Sequence, residues 1–358
     1  MELPSRMNAV VTLGNGGYEQ LRYQTVPLPK PGDNEVLLRV LAAGVNNTEI
    51  NTRLGWYSDS ITAATEATGD ADSAKATTHD DGGWDGATPF PLIQGTDCCG
   101  RVLQVPPGHE HLLGKRVLVR ACMRTSGFSS WASSWMGSNF DGAFAEYVIV
   151  PMSEVFAVNC DWSDAELASI PCAYATAENM LHRAGLQSAE TVLVSGASGG
   201  VGLASVQLAK RRGAKVIAIA GADKHADVMA AGADQVYARN VNLEALLGPQ
   251  SVDLVVDNVA GEDFSKRVKL LKVGGRLATS GAIAGPIVNV DLRDLYLKDI
   301  RLLGSTAWDE PVFPNLVSYI EAGQLTPKVS ATYALADIVQ AQQEFAKKEH
   351  VGKIVLIP

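Results

Sequence analysis

A chain of 358 residues, 46% of them hydrophobic and 19% charged, is long enough for two buried cores and unlike a disordered or fibrous protein. A net charge of −9 argues against nucleic acid or an anionic membrane as the main partner. The N-terminal stretch MELPSRMNAVV has no apolar run of signal-peptide length, no run in the chain approaches membrane-spanning length, and five irregularly spaced cysteines do not suggest a disulfide framework, so a cytoplasmic protein is expected.

In chain order, short strands are expected at 7–13, 35–42, 100–105, 115–120 and 143–150, separated by Gly and Pro turns. The segment 58–88 is rich in Ala, Thr, Gly and Asp and offers little to a core. It reads as a long surface loop, a tolerated insertion in preference to a lid or an oligomer contact. From about residue 161 strands and helices alternate. Strands are expected at 191–194, 215–220, 235–237, 252–256, 274–279 and 300–304. Helices fit at 200–212, 224–231, 243–247, 261–271 and 292–298. This is the α/β pattern of a Rossmann-type doubly wound parallel sheet. The tail, with helices at 314–322 and 336–348 and a strand at 353–357, returns to the style of the first part. The expected division is 1–160 with 307–358, and 161–306.

The boundary between the strand at 191–194 and its following helix carries Gly196, Gly199 and Gly202. Glycines there permit a tight turn and close approach to a pyrophosphate, which the free N–H groups of the helix start then bind. This context identifies a dinucleotide site. An NAD-preferring fold ends its second strand on an acid. Here the strand at 215–220 runs into Gly221-Ala222-Asp223-Lys224, leaving room for a 2′-phosphate beside Lys224 and Arg239, so NADPH is expected over NADH. Asp223 argues the other way, and the alternative for both cations is a solvated surface.

The motifs AAGVNNTEINTRLGWY (42–57), GTDCCG (95–100), DGAFAEYVIVP (141–151), GASGGVG (196–202), AGAD (231–234), VDNV (256–259) and HVGKIVLIP (350–358) resemble the medium-chain dehydrogenase/reductase superfamily. The chain looks most similar to its zinc-independent quinone oxidoreductase-like branch. The resemblance implies a GroES-like, partly open β-barrel catalytic domain, rejoined by the tail, with the active site in the cleft beside the nucleotide fold. It places cofactor contacts at Ser198, Gly199, Gly200 and Val201, at Asn258 and Val259, at Ala282 and Ile283, at Ser305 and Thr306, and at Lys353.

Where zinc-dependent members carry their catalytic ligands, this chain has Asn46, Thr96 and Cys172, of which only the thiol is a good donor, so no zinc is expected. Cys172, Asp97 and Glu49 remain as an unorthodox alternative. The region 121–141 holds only Cys122, so no structural zinc is expected either. The resemblance puts Asn46, Thr48, Tyr57 and Thr96 in the cleft. Thr48 falls at a proton-relay position. Tyr57 is a hydrogen-bond or proton donor that needs activation, or a loop anchor; Asn46 can instead satisfy its own turn, and solvent can deliver the proton. Phe128, Trp131, Trp135 and Phe140 form either an apolar substrate wall or a packing or dimer contact, and a homodimer is expected. The reaction the resemblance implies acts on a small-molecule substrate: NADPH-dependent hydride addition to the C=C bond of an α,β-unsaturated carbonyl, or reduction of a quinone. The alternatives are an alcohol dehydrogenase or carbonyl reductase with an unorthodox metal site, and a cofactor-binding member without enzyme activity.

Overall fold

The structure, a computed structural model, describes residues 3–65, 82–83 and 85–358. Most of the 58–88 segment therefore lies outside the described residues.

The first part is built on the strand Glu35–Gly44, whose run VLLRVLAAG is apolar almost throughout because neighbours cover both of its faces. It pairs antiparallel with Cys99–Gln104, with Tyr147–Pro151 and with the last strand, Lys353–Ile357. Arg116–Val119 and Val155–Ala157 extend the sheet at one end and Val329–Ala334 at the other. Arg6–Thr12, Leu21–Pro27 and Leu92–Ile93 form a smaller sheet beside it. The tail thus rejoins the first part through main-chain hydrogen bonds: Lys353–Ile357 pairs antiparallel with the hub strand and parallel with Val329–Ala334, in the GroES-like domain expected.

The second part is a six-stranded parallel sheet in the order Gln235–Tyr237, Lys215–Ile219, Thr191–Val194, Val252–Asp257, Leu271–Thr279, Arg301–Gly304. In chain order this is 3-2-1-4-5-6, the doubly wound Rossmann order. Thr191–Val194 sits at the centre, and its side chains alternate between two cores. Val192 and Val194 join the core shared with the first part, and Leu193 joins the core on the opposite face. The two parts are therefore packed through one continuous apolar cluster.

Element ends differ from expectation where backbone conformation intervenes. The helix expected at 261–271 begins at Phe264, because Ala260 (φ 54°) and Gly261 (φ 67°) hold a left-handed turn before it. Its last expected residue, Leu271, instead opens the following strand. The helix Asn47–Leu54 follows directly on the hub strand and places the residues around the cleft.

Candidate active site

The strand Thr191–Val194 delivers the chain into a turn that only glycine can make. Gly196 has φ 59°, and a Cβ at Gly202 would lie 2.1 Å from the Gly196 carbonyl oxygen. The helix Gly200–Arg211 can start close to the sheet only without side chains there. Its first turn carries no acidic residue, so its N-terminal amides face the cleft without a competing carboxylate. Gly199, Gly200 and Val201 line a single cleft with Asn258, Val259, Ala282, Ile283, Ser305 and Thr306. All follow carboxyl ends of parallel strands, where open α/β sheets bind ligands. Ser198 does not line the cleft. It is buried, and its carbonyl accepts the Gly352 amide (2.9 Å), which ties the glycine turn to the tail. Asp257, which sequence reasoning missed, shapes the floor. Its buried carboxylate accepts from the Val259 amide (3.1 Å) and pairs with Arg267 (3.1 Å).

A second concavity is lined by Gly221, Ala222, Asp223, Lys224, Ala238, Arg239, Asn240, Lys348 and Glu349. It brings Lys224 and Arg239 together. Lys224 is not a solvated surface charge: it is buried, with its ammonium donating to the Lys348 carbonyl. Lys348 is a further cation that no local pattern had flagged. Asp223 and Glu349 are exposed at the rim.

On the catalytic side, a buried polar knot stands where metal ligands would be. The Glu49 carboxylate accepts the amides of Asn46 and Thr96, each at 2.8 Å. Burial pushes the Glu49 carboxyl above its ordinary range, with the Thr96 hydrogen bond and Lys353 opposing the shift. Asp97 accepts from Asn46 Nδ2 (2.9 Å), from the Cys172 amide (2.6 Å) and from Lys353 Nζ (2.8 Å). Lys353 also donates to the Val45 carbonyl (3.0 Å) and to Asn46 Oδ1. An ammonium has three N–H donors, and all three are used here. Lys353 lines the cleft with its stem, and a Cβ at Gly200 would meet its Cδ at 2.9 Å. The ammonium itself points into the knot.

These residues do not fit a catalytic zinc. Zinc needs three free N, S or O donors. Asp97 and Glu49 are committed to protein donors, an ammonium holds the centre, and burial raises the Cys172 thiol far above its ordinary value, chiefly by desolvation. Among the described residues no cluster of three or more His, Cys, Asp or Glu side chains could hold a metal. In the lobe after Cys122, a guanidinium provides the cross-links: Arg124 donates to the carbonyls of Trp308 (3.0 Å), Phe128 (3.0 Å) and Ser130.

Asn46, Thr48 and Tyr57 line the cleft together with Asn51, Trp56 and Cys172. Thr96 does not: its side chain is fully buried behind the wall, and it acts through its amide. The ring of Tyr57 meets Trp56 edge to face, with centroids 5.6 Å apart. Burial raises the Tyr57 phenol well above its usual value, and hydrogen bonding with Asn51 and Thr48 offsets this only in part. Burial thus works against activation of the phenol as an acid and leaves it able to donate a hydrogen bond. Of the four aromatic residues of the 121–140 region, only Trp135 reaches the cleft wall. Trp131 is exposed between the guanidinium groups of Arg124 and Arg183, and Phe128 lies against Arg120 and Arg124.

Comparison with known proteins matches residues 32–159 to the alcohol dehydrogenase GroES-like domain and residues 200–322 to the zinc-binding dehydrogenase domain. A TrkA-N domain also matches at 145–238. The chain is similar to acryloyl-coenzyme A reductase of Metallosphaera sedula, at 27% identity over 98% of this chain and 99% of the relative. It is similar to quinone oxidoreductase of Lama guanicoe, at 27% identity over 98% and 97%. A solved structure from Sinorhizobium meliloti 1021, provisionally named an alcohol dehydrogenase, is 40% identical with a TM-score of 0.88, covering 99% of this chain and 98% of that one. Members of this family bind nicotinamide cofactors, and the cleft described above has the glycine turn and strand-end loops that hold one. The chain belongs to the medium-chain dehydrogenase/reductase superfamily, in its quinone oxidoreductase-like branch, and is a nicotinamide-dependent oxidoreductase.

Proposed function

We propose that this oxidoreductase uses NADPH, without zinc, to reduce the C=C bond of an α,β-unsaturated carbonyl or a quinone. The observation that carries this reading is the knot of Lys353, Asp97 and Asn46 at the position of a metal site. With no Lewis acid, the substrate oxygen must be stabilised by hydrogen bonds, which suit the delocalised charge of an enolate or hydroquinone better than that of a simple alkoxide. When bound, the nicotinamide supplies the hydride. Tyr57 and Thr48 orient the carbonyl and donate hydrogen bonds to its oxygen. The aromatic wall of Trp56 and Trp135 excludes water. Asn258, whose Oδ1 is held by Ser280 (2.7 Å), leaves its Nδ2 unpaired and buried at the cleft for the cofactor to engage.

The preference for NADPH is supported by Lys224 and Arg239 lining one concavity beyond the second strand. A second copy of the chain is the proposed partner. Arg301–Gly304 is an edge strand, and Leu292, Tyr296, Leu297 and Leu302 near it are exposed, a self-complementary apolar edge of the kind two-fold dimers cover. The buried reduced thiols Cys98, Cys99 and Cys122 suit a cytoplasmic setting. Among the described residues no helix is long and apolar enough to cross a membrane.

Turnover with both cofactors against enones, enoyl thioesters, quinones and aldehydes tests the reading. Reduction of conjugated or quinoid substrates with NADPH supports it, and reduction confined to simple aldehydes overturns it.

A further inference from the structure

The chain leaving the helix Asn47–Leu54 crosses from the first part to the nucleotide-binding part. Gly55 (φ 69°) ends the helix in the left-handed region and turns the chain. The Trp56 amide bonds back to the Asn51 carbonyl (2.9 Å), and its indole Nε1 donates to the Ala63 carbonyl (3.1 Å). Hydrogen bonds from Ser58 to Gly55 (3.2 Å) and from Ile61 to Ser58 (3.0 Å) keep the segment compact. At its far end the Thr65 amide donates to the Ile283 carbonyl (3.0 Å).

Ile283 belongs to the cleft floor, since its own amide bonds to Asn258 (3.3 Å) and that of Ala284 to Val259 (2.8 Å). The contact extends beyond one bond. A Cβ at Gly285 would lie 3.8 Å from the Thr62 carbonyl and 4.0 Å from the Ala64 amide. Trp56, Tyr57, Thr65 and Ile283 all line the cleft. The start of the 58–88 segment is therefore not a remote insertion. It is a strap drawn over the carboxyl end of the parallel sheet, where substrate must meet cofactor.

We propose that the strap 56–65, latched by the Thr65–Ile283 hydrogen bond, closes the substrate end of the cleft, selects short flat substrates over long or branched ones, and retains the bound cofactor. Trp56 and Ile283 form its apolar wall, and a substrate extended beyond the conjugated carbonyl meets that wall. Release of cofactor requires the latch to open, in the manner of gating loops in other enzymes. The substrate half of this proposal rests on the function proposed above; the cofactor half rests only on the nicotinamide site.

The test is cofactor release followed by stopped-flow nicotinamide fluorescence, alongside kcat/KM for a short and a long enone. Thr65→Pro removes the latch donor and should speed NADPH release about fivefold, the scale of one net hydrogen bond, and narrow the short-to-long substrate ratio. Thr65→Ala keeps the N–H and should release cofactor more slowly than the proline variant. Trp56→Phe keeps a ring but frees Ala63, and should shift both readouts in the same direction without placing a proline in the chain. Faster release with no turnover of any conjugated carbonyl supports the strap while removing the proposed reaction. Wild-type release rates and substrate ratios in both Thr65→Pro and Trp56→Phe overturn the strap.

Discussion

Lys353 Nζ lies 2.8 Å from Asp97 Oδ2, and water reaches neither group to any extent: their side chains are 4% and 0% exposed. The pair joins the last strand to the loop after Leu92–Ile93, directly beneath the glycine turn. A buried charge is tolerated only while its partner is present. Asp97→Asn or Lys353→Met should each lower unfolding free energy by ~3–5 kcal/mol in urea titration. The double variant Asp97→Asn with Lys353→Met should lose less stability than the sum of the two single changes. Equal, additive losses would show that the two groups act separately.

Lys224 and Arg239 line the concavity proposed for the 2′-phosphate. Lys224→Ala and Arg239→Ala should each raise KM for NADPH by about tenfold, roughly one charge-assisted hydrogen bond, and leave KM for NADH nearly unchanged. Equal effects on both cofactors would place the two side chains elsewhere in binding.

Burial raises the Tyr57 phenol above its ordinary range. Because its folded-state pKa lies above the ordinary phenol value, loss of its proton cannot limit the rate below about pH 10. Tyr57→Phe should reduce kcat by roughly 10- to 100-fold as a hydrogen-bond donor is lost. The pH profile of the wild type should show no alkaline limb that the variant removes. A limb near pH 8 that disappears in Tyr57→Phe would mean an activated phenol.

The apolar edge around Arg301–Gly304 predicts a dimer. Leu292→Glu with Leu297→Glu adds two charges to an exposed apolar surface and should halve the molar mass measured by light scattering, with little effect on secondary structure. A wild-type monomer, or a variant that stays dimeric, would assign that surface another role.

The nucleotide-binding half was legible because its signals are local. Thr191–Val194 is a short apolar run next to its glycines, and the alternation that follows sets the sheet order. The first part was harder. Leu92–Ile93 and Ser134–Trp135 are too short to show a period, and Val329–Ala334 alternates with little burial. The candidate site was legible as a set of positions but not as a set of bonds. Asp97 and Lys353 stand 256 residues apart, and sequence gave each a different task. Thr96 and Ser198 were placed by motif, yet the backbone of each, not its side chain, makes the relevant contact. The latch between Thr65 and Ile283 joins two stretches of chain whose sequences carry no pattern for pairing.

The proposed reaction is hydride transfer to a conjugated acceptor without a metal. It is tested most directly by measuring NADPH oxidation with an enone or quinone after exhaustive chelation, on protein whose metal content is determined in the same sample. Full activity and no stoichiometric zinc are expected. Stoichiometric zinc, with activity lost on chelation and restored by adding zinc back, would contradict it.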